Sequence, residues 1–409
     1  MENIFEEKNY IDNDIEKAKY IIEKNVKRLR EITPNVKFPH NKLAELEINK
    51  FFYKTQTIDR VMVVLRANGC EHYKNNGGCS MCSHFNGTDR NTNITTKDYI
   101  EQWNSLIQGK NIEKNDIKFD LNNYPVVCVY NLGSLLNENE ISKDAVRYIF
   151  KSLASYNNVE KVIIESRAEY VTDDAIINIK NVYDRGIVEV GIGVESSNNI
   201  IREICHHKGL NEGLECIKKS VEILHKYGFK ALAYINFKPI LLTEKEAIND
   251  AIQTAIDCFK IGFDAISIEP TSLQNYSLAN YLYQLGQYRV PWLWSVRDVV
   301  QGIYDELGSK RLDIRIGGYF DEEVLSGSQG IGYEGKNEIF PHMTSLNCEK
   351  CSKKFIECIK KFNMTYEIKE LYNIDNCDKC YELWEDSKKI KDSRTIIDRV
   401  YDVFGEETG

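Results

Sequence analysis

From about residue 58 the chain alternates short apolar, β-branched runs with longer stretches of helical periodicity. The runs are 60–67, 126–132, 159–165, 187–194, 230–237 and 265–269. Between them lie helical patterns at 96–109, 139–156, 172–185, 198–206, 211–228 and 244–261. This alternation predicts parallel strands with helical crossovers, because parallel neighbours cannot be joined by a tight turn. Six such units predict an α/β fold, a partial (β/α)6 barrel with its site at the C-terminal ends of the strands. An open doubly wound sheet is the alternative, since periodicity alone does not decide closure. No internal repeat of fixed period is present.

Ahead of this rhythm, Ile15, Ala18, Ile21, Ile22, Val26 and Leu29 recur at helical spacing with charges between them. They predict an amphipathic helix over 12–32 that lies on the main domain. After about residue 275 tyrosine and tryptophan become frequent, and a cysteine-rich tail follows. The expected organisation is an N-terminal helical segment at 1–57, the partial barrel at 58–274, a substrate-side extension at 275–340, and a metal-binding tail at 341–409.

The first strand-like run leads into a loop holding Cys70, Cys79 and Cys82. Three thiolates can hold three irons of a [4Fe–4S] cluster and leave the fourth open to a small molecule. The competing reading is zinc, with His72 or His84 completing four ligands. Zinc loops usually space their ligands in close pairs, whereas eight residues separate Cys70 from Cys79. The tail carries two C-x-x-C pairs, Cys348/Cys351 and Cys377/Cys380, with His342 and Cys358 as spare donors. That spacing predicts a zinc-ribbon-like site, with an auxiliary iron–sulfur cluster as the runner-up.

Polar residues where strands run out are candidates for binding. Gly133 and Ser134 follow the second strand, Glu165 and Arg167 the third, Glu195 the fourth, and Lys238 the fifth; Glu269-Pro270 closes the sixth. Glu165, Arg167, Glu195 and Lys238 together offer the anion and cation that grip an amino acid group. Gly191 and Gly193 form only a G-x-G, placed within a strand, which is weak as a dinucleotide signal.

Composition narrows the reading. The chain has 409 residues and a net charge of −9, which argues against wholesale coating of nucleic acid. Of the 12 cysteines most are clustered, a pattern of metal sites in a reducing compartment rather than of disulfides. The N-terminal residues are too charged for a signal peptide, and no apolar run is long enough to span a bilayer. The expectation is a cytoplasmic protein with no membrane partner. Tyr288, Arg289, Trp292 and Trp294 can stack a base, though core filling is the commoner use of such a run. Lys260, Arg289, Arg297, Lys310, Arg311 and Arg315 read as a solvated face, with a phosphate-facing surface as the alternative.

The combination resembles the radical S-adenosylmethionine superfamily, whose members carry a three-cysteine loop after strand one of a partial barrel. The usual loop there is C-x-x-x-C-x-x-C; the long first gap here departs from it and is a feature of a few branches, one of which contains the elongator acetyltransferase subunit. A narrower set of runs resembles the archaeosine-forming (RaSEA) branch: G-G-C-S-M-C at 77–82, N-L-G-S-L-L at 131–136, E-S-R-A-E-Y-V at 165–171 and V-G-I-G-V-E-S at 190–196. H-K-G-L at 207–210, F-K-P-I-L-L-T-E-K-E-A-I at 237–248, Y-R-V-P-W-L-W-S at 288–295 and P-H-M-T-S-L-N-C-E-K-C at 341–351 continue the match in order.

The resemblance implies an enzyme of lyase or transferase type. Cys70, Cys79 and Cys82 would ligate a [4Fe–4S] cluster, and S-adenosylmethionine would chelate the open iron. Gly133, Ser134, Glu165, Arg167 and Glu195, with Lys238, would contact that cofactor. Its reductive cleavage would give a 5′-deoxyadenosyl radical that takes a hydrogen atom from substrate. In that branch the substrate is a lysine joined to a deazaguanine in transfer RNA, and cleavage of the lysine carbon–nitrogen bond yields archaeosine. Modified tRNA, a lysine-attaching enzyme and an electron donor such as flavodoxin or ferredoxin are the implied partners. Two alternatives stay open: a relative acting on a small-molecule or natural-product intermediate, and a non-catalytic zinc-stabilised RNA- or protein-binding module.

Overall fold

The computed structural model describes residues 12–84, 88, 93–110, 119–210, 212–308, 312–319, 322–326, 342–343, 345–374 and 377–405. In chain order the strands are β1 (Glu45–Tyr53), β2 (Gln56–Val64), β3 (Val126–Tyr130), β4 (Lys161–Ser166), β5 (Ile187–Gly193), β6 (Lys230–Phe237), β7 (Ala265–Pro270), β8 (Leu273–Gln274), β9 (Ile314–Ile316), β10 (Glu322–Ser326) and β11 (His342–Met343). The helices are α1 (Asp12–Glu31), α2 (Glu71–Asn76), α3 (Thr96–Ile107), α4 (Lys143–Leu153), α5 (Asp173–Lys180), α6 (Gly213–Lys226), α7 (Glu244–Ile261), α8 (Leu278–Gln284), α9 (Leu293–Leu307), α10 (Glu349–Thr365), α11 (Asp378–Lys389) and α12 (Ile396–Phe404). The helix predicted at 198–206 is present over 199–205, with its Ile201–Cys205 part wound as a π-helix.

β2 to β7 are neighbours in sequence order and parallel throughout, and β9 adds a further parallel strand. A doubly wound sheet would reverse its strand order at a switch point. No reversal occurs here, so the sheet curls into the partial α/β barrel instead. β1 and β10 extend the other edge in antiparallel pairing, giving nine strands. The sheet therefore draws β1 from the N-terminal segment, and β9 and β10 from the 275–340 segment.

Local chemistry explains the element ends. β3 reads V-V-C-V-Y and is buried almost throughout, as expected of a parallel strand covered on both faces. α3 and α7 start at capping boxes, Thr95/Asp98 and Thr243/Glu246, which satisfy amides that a helix N-terminus leaves free. α1 buries Ala18, Ile21, Ile22, Val26 and Leu29, each buried Ile, Val or Leu contributing about 1.5–3 kcal/mol.

The C-terminal tail bridges β9, at one edge of the open sheet, to β1 and β2 near the other. On α10, Asn363 accepts from Ile316 N (3.0 Å) and donates to the Ile316 and Tyr319 carbonyls (2.8 and 3.1 Å), at the β9 edge. Toward the other edge, inside β10, the Thr57 hydroxyl of β2 donates to the Met364 carbonyl (2.8 Å) and Phe52 of β1 meets Tyr366. α11 is tied to the barrel by a relay: Trp384 Nε1 donates to Ser295 Oγ (2.8 Å), which donates to Glu244 Oε1 (2.6 Å).

The 288–295 run is core filling. Trp294 is fully buried against Phe355 and Tyr381, and Trp292 and Tyr288 are nearly so. The expected solvated face is corrected at three positions. Arg297 is buried among the rings of Trp294, Tyr372, Tyr381 and Trp384, Arg289 stacks 3.6 Å over Trp292, and Arg315 grips Glu189 with both terminal nitrogens. Lys260 stays exposed beside Asp257, while Lys310 and Arg311 lie outside the described residues.

Candidate metal and cofactor site

The cysteine loop begins where β2 ends. Cys70 caps the short helix α2, and two successive left-handed glycines, Gly77 (φ 84°) and Gly78 (φ 81°), turn the chain back. Only glycine takes that conformation at no steric cost. The eight-residue gap is thus a helical excursion that returns Cys79 and Cys82 to the side of Cys70. All three line one cavity of about 550 Å³ at the strands' C-terminal ends.

Neighbouring carbonyls hold the loop in place. Ser80 donates its amide to the His206 carbonyl (2.9 Å) and its hydroxyl to Cys205 O (2.5 Å). His207 Nδ1 bonds Gly78 O (2.8 Å), and His72 Nε2 bonds His207 O (2.7 Å). His72 is therefore occupied within the fold, and burial drives it down to about 2, so it stays neutral. His84 does border the cavity. Burial also keeps the three thiols protonated when nothing is bound, with Cys70 raised to about 11 and Cys82 to about 12.

Most of the expected binding residues share this cavity: Gly133, Ser134, Glu165, Arg167 and Glu195 all line it. Glu140 registers the cysteine loop on the end of β3. Its Oε1 accepts from the Glu71 amide (2.8 Å) and its Oε2 from the Ser134 amide (2.5 Å). Gly133 leaves room for it, since a Cβ there would stand 2.0 Å from Glu140 Oε2 and 3.2 Å from Cys70 Cα. The Ser134 hydroxyl accepts from the Arg167 amide (3.0 Å), and Arg167 Nε donates to Glu169 (2.5 Å).

Sequence reading missed several members. Lys208 lies in the wall and donates to Glu195 (2.7 Å); it sits inside the H-K-G-L run, the one signal that pointed to it. Tyr234 and Lys208 fill the space beside Gly191 and Gly193, where a Cβ would meet them at 2.4 and 2.3 Å. The G-x-G on β5 is therefore a thinned cavity wall. Glu269, noted as a strand end, also faces the cavity. Burial raises it to about 7, and burial together with Glu269 raises Glu165 to about 8. Glu45, Glu47 and Asn49 of β1 complete the far wall.

Lys238 does not join this set. The chain leaves β6 through Lys238 itself in the left-handed region (φ 61°), and its ammonium meets Glu244 (2.7 Å) and the Arg289 carbonyl (2.9 Å). It lines a separate hollow with Tyr288, Arg289 and Arg399. A buried, paired lysine outside the cavity cannot contact what the cavity holds.

The tail brings its cysteines together differently. Cys348 and Cys377 cap α10 and α11, and Cys351 and Cys380 lie in their first turns. The ligand atoms of Cys348, Cys351 and Cys377 lie within 4.8 Å of one another, and the Cys348 amide donates to Cys380 Sγ (3.2 Å). The Cys351 amide and the neighbouring thiols hold Cys348 below the usual thiol range. Cys358 lies elsewhere, with its thiol on Asn373 O (3.6 Å), and the side chain of His342 is outside the described residues.

Zn–S bonds of about 2.3 Å put tetrahedral neighbours about 3.8 Å apart. Three of the tail's thiols lie within 4.8 Å of one another, close to what one tetrahedral ion requires. The loop cysteines share the cavity with the strand-end residues.

No family model matches the chain. An uncharacterized protein of Methanocaldococcus jannaschii is 33% identical over 323 residues, covering 79% of this chain and 80% of that one. Archaeosine synthase subunit beta of Thermococcus kodakarensis is 28% identical over 327 residues, 80% of this chain and 90% of its own. Among solved structures, an archaeal Elp3 from Methanocaldococcus infernus matches with a TM-score of 0.39 at 12% identity, over 59% of this chain and 55% of that one. No helix of the described residues is long and apolar enough to cross a membrane.

Proposed function

The chain belongs to one family with the M. jannaschii protein, and from that premise and its similarity to archaeosine synthase subunit beta we propose that it is a radical S-adenosylmethionine enzyme of tRNA modification. Cys70, Cys79 and Cys82 hold a [4Fe–4S] cluster, and Gly133, Ser134, Glu165, Arg167 and Glu195 hold S-adenosylmethionine. When bound, these groups supply one-electron cleavage of the sulfonium and a carbon radical able to abstract hydrogen.

The observation that carries this reading is the convergence of three cysteines on one cavity that Gly133, Ser134, Glu165, Arg167 and the paired Glu195–Lys208 also line. The chain's own part is to hold and seclude. Burial raises the Cys79 thiol, and the positive charges of Lys208 and Arg167 beside it partly offset this. Gly191 and Gly193 make room for the Tyr234 ring and the Lys208 ammonium, which form the wall there. Glu165, raised to about 8, keeps a proton near neutral pH and can donate a hydrogen bond into the cavity.

The substrate is a lysine-bearing deazaguanine in tRNA, cleaved at its carbon–nitrogen bond with a lysine-attaching enzyme and a flavodoxin- or ferredoxin-like donor as partners. The net charge of −9 favours a second reading, the same chemistry on a free small molecule. The tail holds structural zinc.

Electron paramagnetic resonance of anaerobic, dithionite-reduced protein tests the core of this reading. A [4Fe–4S]⁺ signal that shifts on adding S-adenosylmethionine is expected. A fully metal-loaded protein without that signal would return the loop to zinc. Nucleoside analysis of tRNA from a deletion strain then separates the substrates, because an unchanged modification profile excludes the tRNA role.

A further inference from the structure

The N-terminal helix does more than cover the barrel. Arg30, in the last turn of α1, is 6% exposed and turns its guanidinium onto the cysteine loop. Nε donates to Gly77 O (2.6 Å), Nη1 to Tyr276 O (2.6 Å), and Nη2 to both Cys79 O (3.2 Å) and Cys82 O (3.1 Å). One side chain thus gathers carbonyls from the glycine turn, from two of the three loop cysteines, and from the segment after β8.

Two other contacts show that α1 is fitted to this loop. A Cβ on Gly77 would stand 3.0 Å from Val26 Cγ1 and 3.2 Å from Lys27 Cγ, so the turn lies directly against the helix. Glu23 reaches His207 Nε2 (3.9 Å), whose other ring nitrogen bonds Gly78 O. The α2 excursion would otherwise be a loop between two glycines with a large conformational space to lose.

We propose that Arg30 is a positioning residue for the metal-binding loop: its fork fixes the backbone of Cys79 and Cys82 before metal binds, and its fixed charge favours the added electron once a cluster is in place. The second half rests on the cluster reading above; the first does not. Arginine suits the role because a planar, permanently charged fork of five donors can serve several carbonyls at once. Lysine would keep the charge and lose the fork, so the two halves can be tested apart.

The experiment compares full-length native protein with Arg30→Lys and Arg30→Met, each before and after cluster loading. Before loading, hydrogen exchange of the amides in 77–82 should quicken about ten-fold or more in both variants, while the core strands keep their protection. After loading, a redox titration followed by paramagnetic resonance should show a more negative potential for Arg30→Met and a near-native one for Arg30→Lys. Unchanged exchange in folded variants overturns the positioning role, and equal potentials in all three overturn the electrostatic one. Loss of fold in both variants also overturns the proposal, because Arg30 would then be a fold residue. If native protein takes up no cluster, the function proposed above fails while the exchange comparison still decides the positioning role.

Discussion

Glu165 and Glu269 stand in a cavity wall with too little cation to keep both charged. Burial raises each, Glu269 raises Glu165 further, and Lys208 only partly offsets this because it is already paired with Glu195. Their folded pKa values, about 8 and about 7, lie above the ordinary carboxylate value. The folded chain therefore binds more protons than the unfolded chain between about pH 4.5 and 8, and their contribution to stability falls as pH rises through that window. Glu269→Gln removes one of these protons and lets Glu165 ionise more easily. Relative to the variant, the native protein should lose about 2 kcal/mol of stability between pH 5 and pH 8. Urea unfolding at the two pH values measures the difference, and parallel curves would mean that Glu269 is ionised throughout.

At the scale of elements, the six central strands were legible because parallel strands covered on both faces read as continuous apolar runs, as in Val126–Tyr130. β1 was not legible. Its Glu45, Glu47 and Asn49 look like a solvent face, but the barrel encloses a polar cavity and they line it. Lys238 was misplaced for a local reason: the strand-end rule gives the position, and a left-handed residue then turns the side chain away. Arg297 and Arg315 read as surface cations because Tyr372, Tyr381 and Trp384 around the one, and Glu189 against the other, lie far off in sequence. The strap formed by α10 is equally non-local, and Asn363 carries its β9 end. Asn363→Leu leaves buried backbone groups of β9 without partners and should cost about 2–4 kcal/mol. Hydrogen exchange should place the loss at β9; a uniform loss across the sheet would mean that α10 supports the whole barrel.

Over the whole molecule, two metal-type cysteine sets stand at opposite ends of one mechanical path. The loop set lies at the cavity, held by α1. The tail set joins the N-termini of α10 and α11, and these helices bind β9, β2 and the Ser295–Glu244 relay. A metal that pins Cys348, Cys351, Cys377 and Cys380 should therefore hold the barrel's open side shut without touching the chemistry. This separates by mutation. Protein with Cys70, Cys79 and Cys82 all changed to alanine should retain about one zinc per chain and no iron, as a closed tetrahedral thiolate site requires. Elemental analysis reads this directly, and iron retained in that variant would make the tail an auxiliary cluster site. Stripping the tail metal with a chelator should then lower the melting temperature and quicken exchange at β1 and β9 together, because one helix spans both. Quickened exchange confined to α10 and α11 would show instead that the metal stabilises only the tail, and that the strap holds by its hydrogen bonds alone.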